Sequence, residues 1–246
     1  MKKYWPVVLF LVGILVLGGV YFLVIRGRGE SVEDEDASVP ELPLEMRPFT
    51  SLTPSEDGHW LKLIIKEIKV EGAASLDYEL LYKVGDGRTQ GVPGNVKISG
   101  SSIERDLLLG SESSGKFRYD EGVQEGSLTL RFRNDKGKLV GKLSTDFHLQ
   151  TGAIELTSLD GVFSYILNTV PKSTFFVTMS TFGLPGEAGL PAVALAEAGP
   201  YGVFASSSSK FPGSVRGVTH RWDGSSWQEL STGKSSDVGV FLKASQ

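Results

Sequence analysis

The sequence predicts an all-β protein: a β-sandwich body carried behind one N-terminal transmembrane helix and an acidic linker. Three observations lead there. Trp5 to Ile25 is a run of 21 residues without a charge. Glu30 to Asp57 is acidic and interrupted by Pro40, Pro43, Pro48 and Pro54. Beyond it, apolar residues alternate with polar ones at the period of two that marks a half-buried strand, and Gly, Asn and Asp punctuate the runs.

The apolar run comes first in the chain. As a helix it would reach ~31 Å, the thickness of a bilayer core of ~30 Å. A secretory signal peptide has a shorter apolar core of ~7–15 residues and ends in a small-x-small site. The only such site beyond this run is Gly27-Arg28-Gly29, with a charge at its centre. The helix is therefore expected to stay as an uncleaved signal anchor, with the lipid bilayer as partner through residues 5–25. Lys2 and Lys3 precede it, and Arg26 and Arg28 follow it. The positive-inside bias is thus near balance. A Gly- and Ser-rich β body, as exported domains often have, favours the N-terminus inside. Residues 1–4 are then a cytoplasmic tail, and the protein is a single-pass protein of the cell membrane with its body extracytoplasmic. Trp5 and Tyr21 suit the two headgroup regions as aromatic anchors.

Residues 26–57 read as a solvated acidic linker that buries too little apolar surface to order itself. Leu42, Leu44, Met46 and Phe49 give its C-terminal end apolar groups for docking on the body. Segment 1–57 holds five basic and nine acidic residues, whereas 58–246 holds twenty of each. The body is therefore neutral and offers no basic footprint for nucleic acid. The chain has no cysteine, which excludes disulfides and a lipoprotein anchor.

A composition shift divides the body. Residues 58–150 carry 14 basic and 13 acidic residues; 151–246 carry 6 and 7 and are richer in Ser, Gly, Ala and Pro. A β-sandwich domain is expected over 58–150 and a second β-rich domain over 151–246. In the first, Leu61 to Val70 opens the series of strands. Leu76, Tyr78, Leu80, Tyr82 and Val84 then alternate with Asp77, Glu79 and Lys83. Val96 to Ile98, Ile103 to Leu109 and Phe117 to Tyr119 follow. Leu128, Leu130 and Phe132, the turn Asn134-Asp135-Lys136-Gly137, and Leu139 to Leu149 make a hairpin. In the second, strands are expected at 153–157, 162–166, 174–179, 201–205, 215–222, 227–230 and 238–243. The stretch Pro191 to Ala198 fits either a helical turn or a strand.

Three pieces of residues 88–134 share one grammar. Gly91-Val92-Pro93-Gly94-Asn95-Val96-Lys97-Ile98 is a turn leading into alternating apolar residues. Ser113-Ser114-Gly115-Lys116-Phe117-Arg118-Tyr119 is a glycine turn followed by alternating aromatics that are expected to enter the core. Gly126-Ser127-Leu128-Thr129-Leu130-Arg131-Phe132 closes the set. Together they resemble the prealbumin-like, or carboxypeptidase-regulatory-like, domains. The resemblance implies Ig-like or prealbumin-like sandwich subdomains and brings no catalytic residues, because such modules usually stiffen, space or bind. Gly161, Phe163, Tyr165 and Ser173 repeat the spacing of Gly115, Phe117, Tyr119 and Ser127 at an offset of 46 residues.

Chemistry-bearing motifs fail on their context. Gly110 to Lys116 has the length of a phosphate loop, but Phe117 stands where a magnesium-binding hydroxyl is needed, and a strand follows instead of a helix. The Ser-x-x-Lys matches at 113, 207 and 231 lack their companion motifs. His59, His148 and His220 stand in no metal-ligand spacing. The carboxylate pairs Asp120-Glu121 and Glu104-x-Asp106 read as solvated residues of turns and strand faces. No catalytic residue, metal site or cofactor is expected, and the chain is not expected to be an enzyme. The candidate ligand-binding residues are His220, Trp222 and Trp227. A four-residue turn, Asp223 to Ser226, sets Trp222 opposite Trp227, and paired indoles either stack on sugar rings or a protein partner, or cap the core. The expected function is a structural or binding module of the cell envelope, with a glycan or a protein as partner. The alternatives are an envelope enzyme acting on polysaccharide or peptide, and an accessory subunit of a membrane assembly.

Overall fold

The computed structural model describes residues 42–186 and 196–244, together with Leu17, Gly19 and Val39. The chain forms two compact units, Met1–Pro40 and Glu41–Gln246. In the first, Leu17 and Gly19 are helical. The rest of the expected span 5–25 lies outside the described residues, among which no helix is long and apolar enough to cross a membrane.

The second unit is all-β. A three-stranded antiparallel sheet runs in the order β1 (Phe49–Pro54), β2 (Trp60–Lys66), β5 (Ser102–Leu108). Strands β6 (Gly110–Ser113) and β7 (Lys116–Tyr119) form a separate hairpin. A four-stranded sheet contains β10 (Glu155–Thr157), β11 (Ser164–Leu167), β14 (Gly213–Arg216) and β17 (Lys234–Ser235) in that order. The remaining strands are β3 (Ser75–Lys83), β4 (Thr89–Lys97), β8 (Glu125–Arg133), β9 (Leu139–Thr151), β12 (Phe175–Ser180), β13 (Ala196–Ala205), β15 (His220–Trp222), β16 (Trp227–Glu229) and β18 (Val240–Ala244). They build one nine-stranded sheet in the order β16-β15-β18-β13-β12-β9-β8-β3-β4. This sheet runs through both halves of the body, and its junction is the antiparallel pairing of Phe147–Thr151 in β9 with Phe175–Met179 in β12.

Alternation places the core. Leu76, Leu80 and Tyr82 of β3, Leu128, Leu130 and Phe132 of β8, and Leu143, Phe147 and Leu149 of β9 share a buried cluster with Leu61, Leu63 and Ile65 of β2. Over β3 and β8 the opposite face of the large sheet carries charged side chains. Asp77 stands opposite Arg131 but bonds Arg133 Nε at 2.7 Å, and Arg131 reaches Glu79 at 3.2 Å. Each arginine leans one rung along its neighbour, the diagonal contact open to long side chains in an antiparallel pair. A second buried cluster contains Leu156, Phe163, Tyr165, Leu167, Phe176, Tyr201, Val203, Phe211, Val215 and Phe241. The composition shift at 150–151 falls at the end of β9, where the chain passes from one cluster toward the other.

Local turn chemistry sets the hairpins. Asn134 Oδ1 accepts from the amides of Lys136 and Lys138, and Gly137 takes φ +77°, closing β8 onto β9. Ser114 and Gly115 both have positive φ between the paired Ser113 and Lys116, the mirror-image turn that matches strand twist. The stretch 110–116 is thus a polar hairpin.

One element differs from expectation, and a stretch left open between helical turn and strand is decided in part. The stretch 215–222 is two strands in two sheets, and the chain crosses between them at Gly217. There φ is +82°, and a β-carbon would lie 2.1 Å from the carbonyl oxygen of Val162. At 191–198, residues 196–198 belong to β13, and 191–195 lie outside the described residues.

The folded body also begins inside the stretch expected as linker. Leu44–Met46 is a 3-10 turn, and Phe49–Pro54 is β1. Thr50 and Leu52 are fully buried. On one side β1 pairs with β2; on the other, the Thr50 amide donates to Thr181 O at 2.9 Å and the Gly183 amide donates to Pro48 O at 3.1 Å. The local count of apolar residues is low, but partners distant in sequence satisfy this backbone on both sides. Leu52→Ala should therefore destabilise the body by about 2–5 kcal/mol, the range for deleting a buried leucine side chain, although it lies in an acidic stretch. Urea denaturation checks this, and a midpoint unchanged from wild type would contradict the placement of β1.

Candidate functional site

The tryptophan hairpin forms at the edge of the nine-stranded sheet, with β16 outermost. Trp222 pairs with Trp227, their ring centroids are 5.5 Å apart and their planes are inclined at 58°. His220 precedes Trp222 by two positions and so lies on the same face. Its Nδ1 is 2.9 Å from Thr219 Oγ1. The structure therefore brings the three candidate residues together. Both indoles are half-buried, and among the described residues neither belongs to a buried cluster of the core. Arg221, on the opposite face, is tied by Nη2 to Val238 O at 3.2 Å, while its buried Nε has no partner among the described residues.

Asp223 organises the turn. Its carboxylate accepts from the amides of Ser225 and Ser226, each at 2.8 Å, from both serine hydroxyls, and from Gln228 Nε2 at 3.0 Å. The Ser225 and Ser226 amides, aided by the Ser225 hydroxyl and Gln228, hold its carboxyl well below the usual carboxylate range.

A second aromatic surface lies at the β6–β7 hairpin. Phe117 and Tyr119 are 46% and 39% exposed. Their rings are nearly parallel, inclined at 7°, with centroids 6.3 Å apart. His59 stacks on Tyr119 at 4.1 Å and 10°, and Trp60 meets Phe117 edge-on at 5.6 Å. Four rings thus form one ladder. The β1–β2 turn holds its His59 end. Ser55 Oγ donates to Asp57 Oδ1 at 2.5 Å, the His59 amide donates to the same oxygen at 3.1 Å, and these two bonds lower the Asp57 pKa. Gly58, at φ +72°, lies against Phe175, whose ring a β-carbon there would meet at 2.6 Å.

Two solvent-open hollows meet the ladder at its His59–Tyr119 end. One, of about 480 Å³, is lined by Asp57, His59, Glu121, Gln124, His148 and Phe175 among others. The other, of about 670 Å³, is lined by Asp86, Arg88, Arg118, Tyr119, Asp120 and Glu121 among others. The segment 120–122 borders both. Asp120 is oriented by Tyr82, whose hydroxyl donates to Oδ2 at 2.9 Å; burial and this bond raise the phenol pKa. Arg88 is committed to Asp86 at 2.7 Å. Among the described residues no three His, Asp or Glu side chains are grouped to hold a metal ion.

Phe117 and Tyr119 were expected in the core, and the structure places them outside. The hairpin that carries them stands as its own two-stranded sheet, and every residue of β7 is exposed. The sequence holds a signal for this. Their cross-strand partners are Glu112 and Gly110, which supply no apolar surface for a core. His59 and Trp60 carry no such signal, because the contact that aligns them comes from a strand about sixty positions away.

No protein-family model matches the chain, and no curated protein matches it.

Two predictions come from the tryptophan hairpin. Trp227→Ala should cost about 0.5–1.5 kcal/mol, the scale of an aromatic pair. That is well below the about 3–5 kcal/mol of a buried aromatic. Urea melts separate the two ranges. For Asp223, the folded pKa lies below the unfolded value of about 3.9. Its contribution to stability is therefore present above about pH 4 and lost as pH falls through the folded pKa. Asp223→Ala should flatten the acid limb of the stability–pH curve. An acid limb identical to wild type would show that the carboxylate does not hold the turn.

Proposed function

We propose that the chain is a signal-anchored protein of the cell envelope whose extracytoplasmic body is a non-catalytic binding module. In this reading residues 5–25 span the membrane, an acidic spacer follows, and the body faces outward as a β-sandwich. Of the prealbumin-like grammar of residues 88–134, the first and third pieces fall on β4 and β8 of the large sheet, which supports a layered β body, while the middle piece falls on the separate β6–β7 hairpin. The observation that carries the reading is the ladder of His59, Trp60, Phe117 and Tyr119. Two exposed rings, Phe117 and Tyr119, held in parallel by contacts with the half-buried Trp60 and His59 leave aromatic area in water, and aromatic rings are enriched where surfaces bind. The ordered oxygen and nitrogen groups beside them suit recognition by hydrogen bonds.

Two measurements test this together. The full chain should sediment with membranes, and protease added to cells made permeable in their outer layers should degrade the body while a cytoplasmic control survives. The full chain in lipid nanodiscs should also co-sediment with delipidated wall material. A body that resists protease while a surface control is cut would reverse the topology, and absence of co-sedimentation would overturn the binding role.

A further inference from the structure

The aromatic ladder and its two hollows narrow the class of ligand. We infer that they form a binding groove for a neutral glycan chain, an inference that rests on the binding-module reading above. A pyranose presents a flat C–H face and a rim of hydroxyls. It therefore needs an exposed aromatic plane bordered by hydrogen-bonding groups that are not already satisfied. Phe117 and Tyr119 supply two nearly parallel planes, 6.3 Å between centroids, each more than a third exposed. His59 stacks on one face of Tyr119 and Trp60 meets Phe117 edge-on; these contacts fix their rotamers before any ligand arrives, which lowers the ordering cost of binding.

The border is uneven in a way that selects. Asp57 is already engaged by Ser55 and the His59 amide, and Asp120 by Tyr82. The side chains of Glu121 and Gln124 have no hydrogen-bond partner among the described residues, and both face the smaller hollow. A carboxylate accepts from two hydroxyls at once, and a carboxamide both donates and accepts, which matches a vicinal diol. Charge argues against an anionic ligand. Asp57, Asp120 and Glu121 line the groove, and of the two arginines Arg88 is already neutralised by Asp86. Length argues for a polymer. Both hollows are lined by residues 120–122, and together they offer more surface than a single sugar ring fills.

The test is calorimetric titration of the full chain in nanodiscs of zwitterionic lipid, without sugar-headed detergent. The probes are the neutral hexamers of β-linked glucose, N-acetylglucosamine and xylose, with a hexauronate as the anionic counterpart. At least one neutral hexamer should bind. Phe117→Ala and Tyr119→Ala should each weaken it about tenfold, equivalent to ~1.4 kcal/mol, with the body still folded and its melting temperature lowered only by the small amount that losing surface ring contacts brings. Glu121→Ala should weaken it as well, and Val170→Ser, outside both hollows, should not. The hexauronate should bind about tenfold more weakly or not at all. Three results overturn the inference: no neutral hexamer binds, binding survives both aromatic substitutions, or the hexauronate binds as tightly. If no hexamer binds but wall material still retains the protein in a Tyr119-dependent manner, the glycan assignment fails and the binding role stands. If neither binds, both fail.

Discussion

Strand β12 has to satisfy two apolar clusters at once. Its alternate side chains point to opposite faces of the large sheet. Val177 and Met179 enter the cluster built by β2, β3, β8 and β9, while Phe176 enters the cluster that contains Tyr165 and Phe241. A strand buried on both faces loses its polar alternation, which is why Phe175-Phe176-Val177-Thr178-Met179 reads as a nearly continuous apolar run. The backbone pairing of β12 with β9 then joins the halves edge to edge. In a chain without cysteine this shared sheet and the strand β1 are what hold the body together. Each hydrogen bond contributes only ~0.5–1.5 kcal/mol net, so the larger contribution comes from the apolar surface that the pairing lets both clusters bury.

The same junction positions the candidate site. Phe175 is the first paired residue of β12, and its ring packs on Gly58 in the β1–β2 turn. Gly58 is followed by His59, which stacks on Tyr119, and by Trp60, which meets Phe117. Strand β1, which leads into that turn, is itself held by residues 181–183 just beyond β12. The aromatic ladder is built from residues of the first half, yet the second half determines where its two end rings, His59 and Trp60, stand. A surface made this way is preorganised without any buried charge, because the pairs that line it, Arg88 with Asp86 and Tyr82 with Asp120, are local or hydrogen-bonded.

The two aromatic surfaces differ in what supports them. The tryptophan hairpin is self-contained: a short turn bound by one aspartate, and two indoles that lean on each other at the free edge of the sheet. The ladder depends on three separate elements and sits beside hollows with unspent polar groups. Mutual support of two rings explains the first without a ligand. The second leaves large aromatic area in water on a hairpin that contributes nothing to either buried cluster, and that difference is what the proposed binding role rests on.

Period-two alternation and turn chemistry by themselves determined most strands, the β8–β9 hairpin at Asn134–Gly137 and the facing of Trp222 and Trp227. Each of these depends only on contacts within a few residues. Alternation states which residues share a face; it does not state whether that face meets a core. The repeated spacing makes the limit plain. Phe117 and Tyr119 are exposed, whereas Phe163 and Tyr165, in the same local pattern, are fully buried. The first pair faces Glu112 and Gly110 on an isolated hairpin; the second lies under Tyr201 and Phe241, which arrive from strands far along the chain. Tertiary structure alone likewise decided that Phe49–Pro54 is a strand, because its partners are β2 and residues 181–183, and that the chain changes sheets at Gly217, because a carbonyl from residue 162 occupies the space a side chain would need.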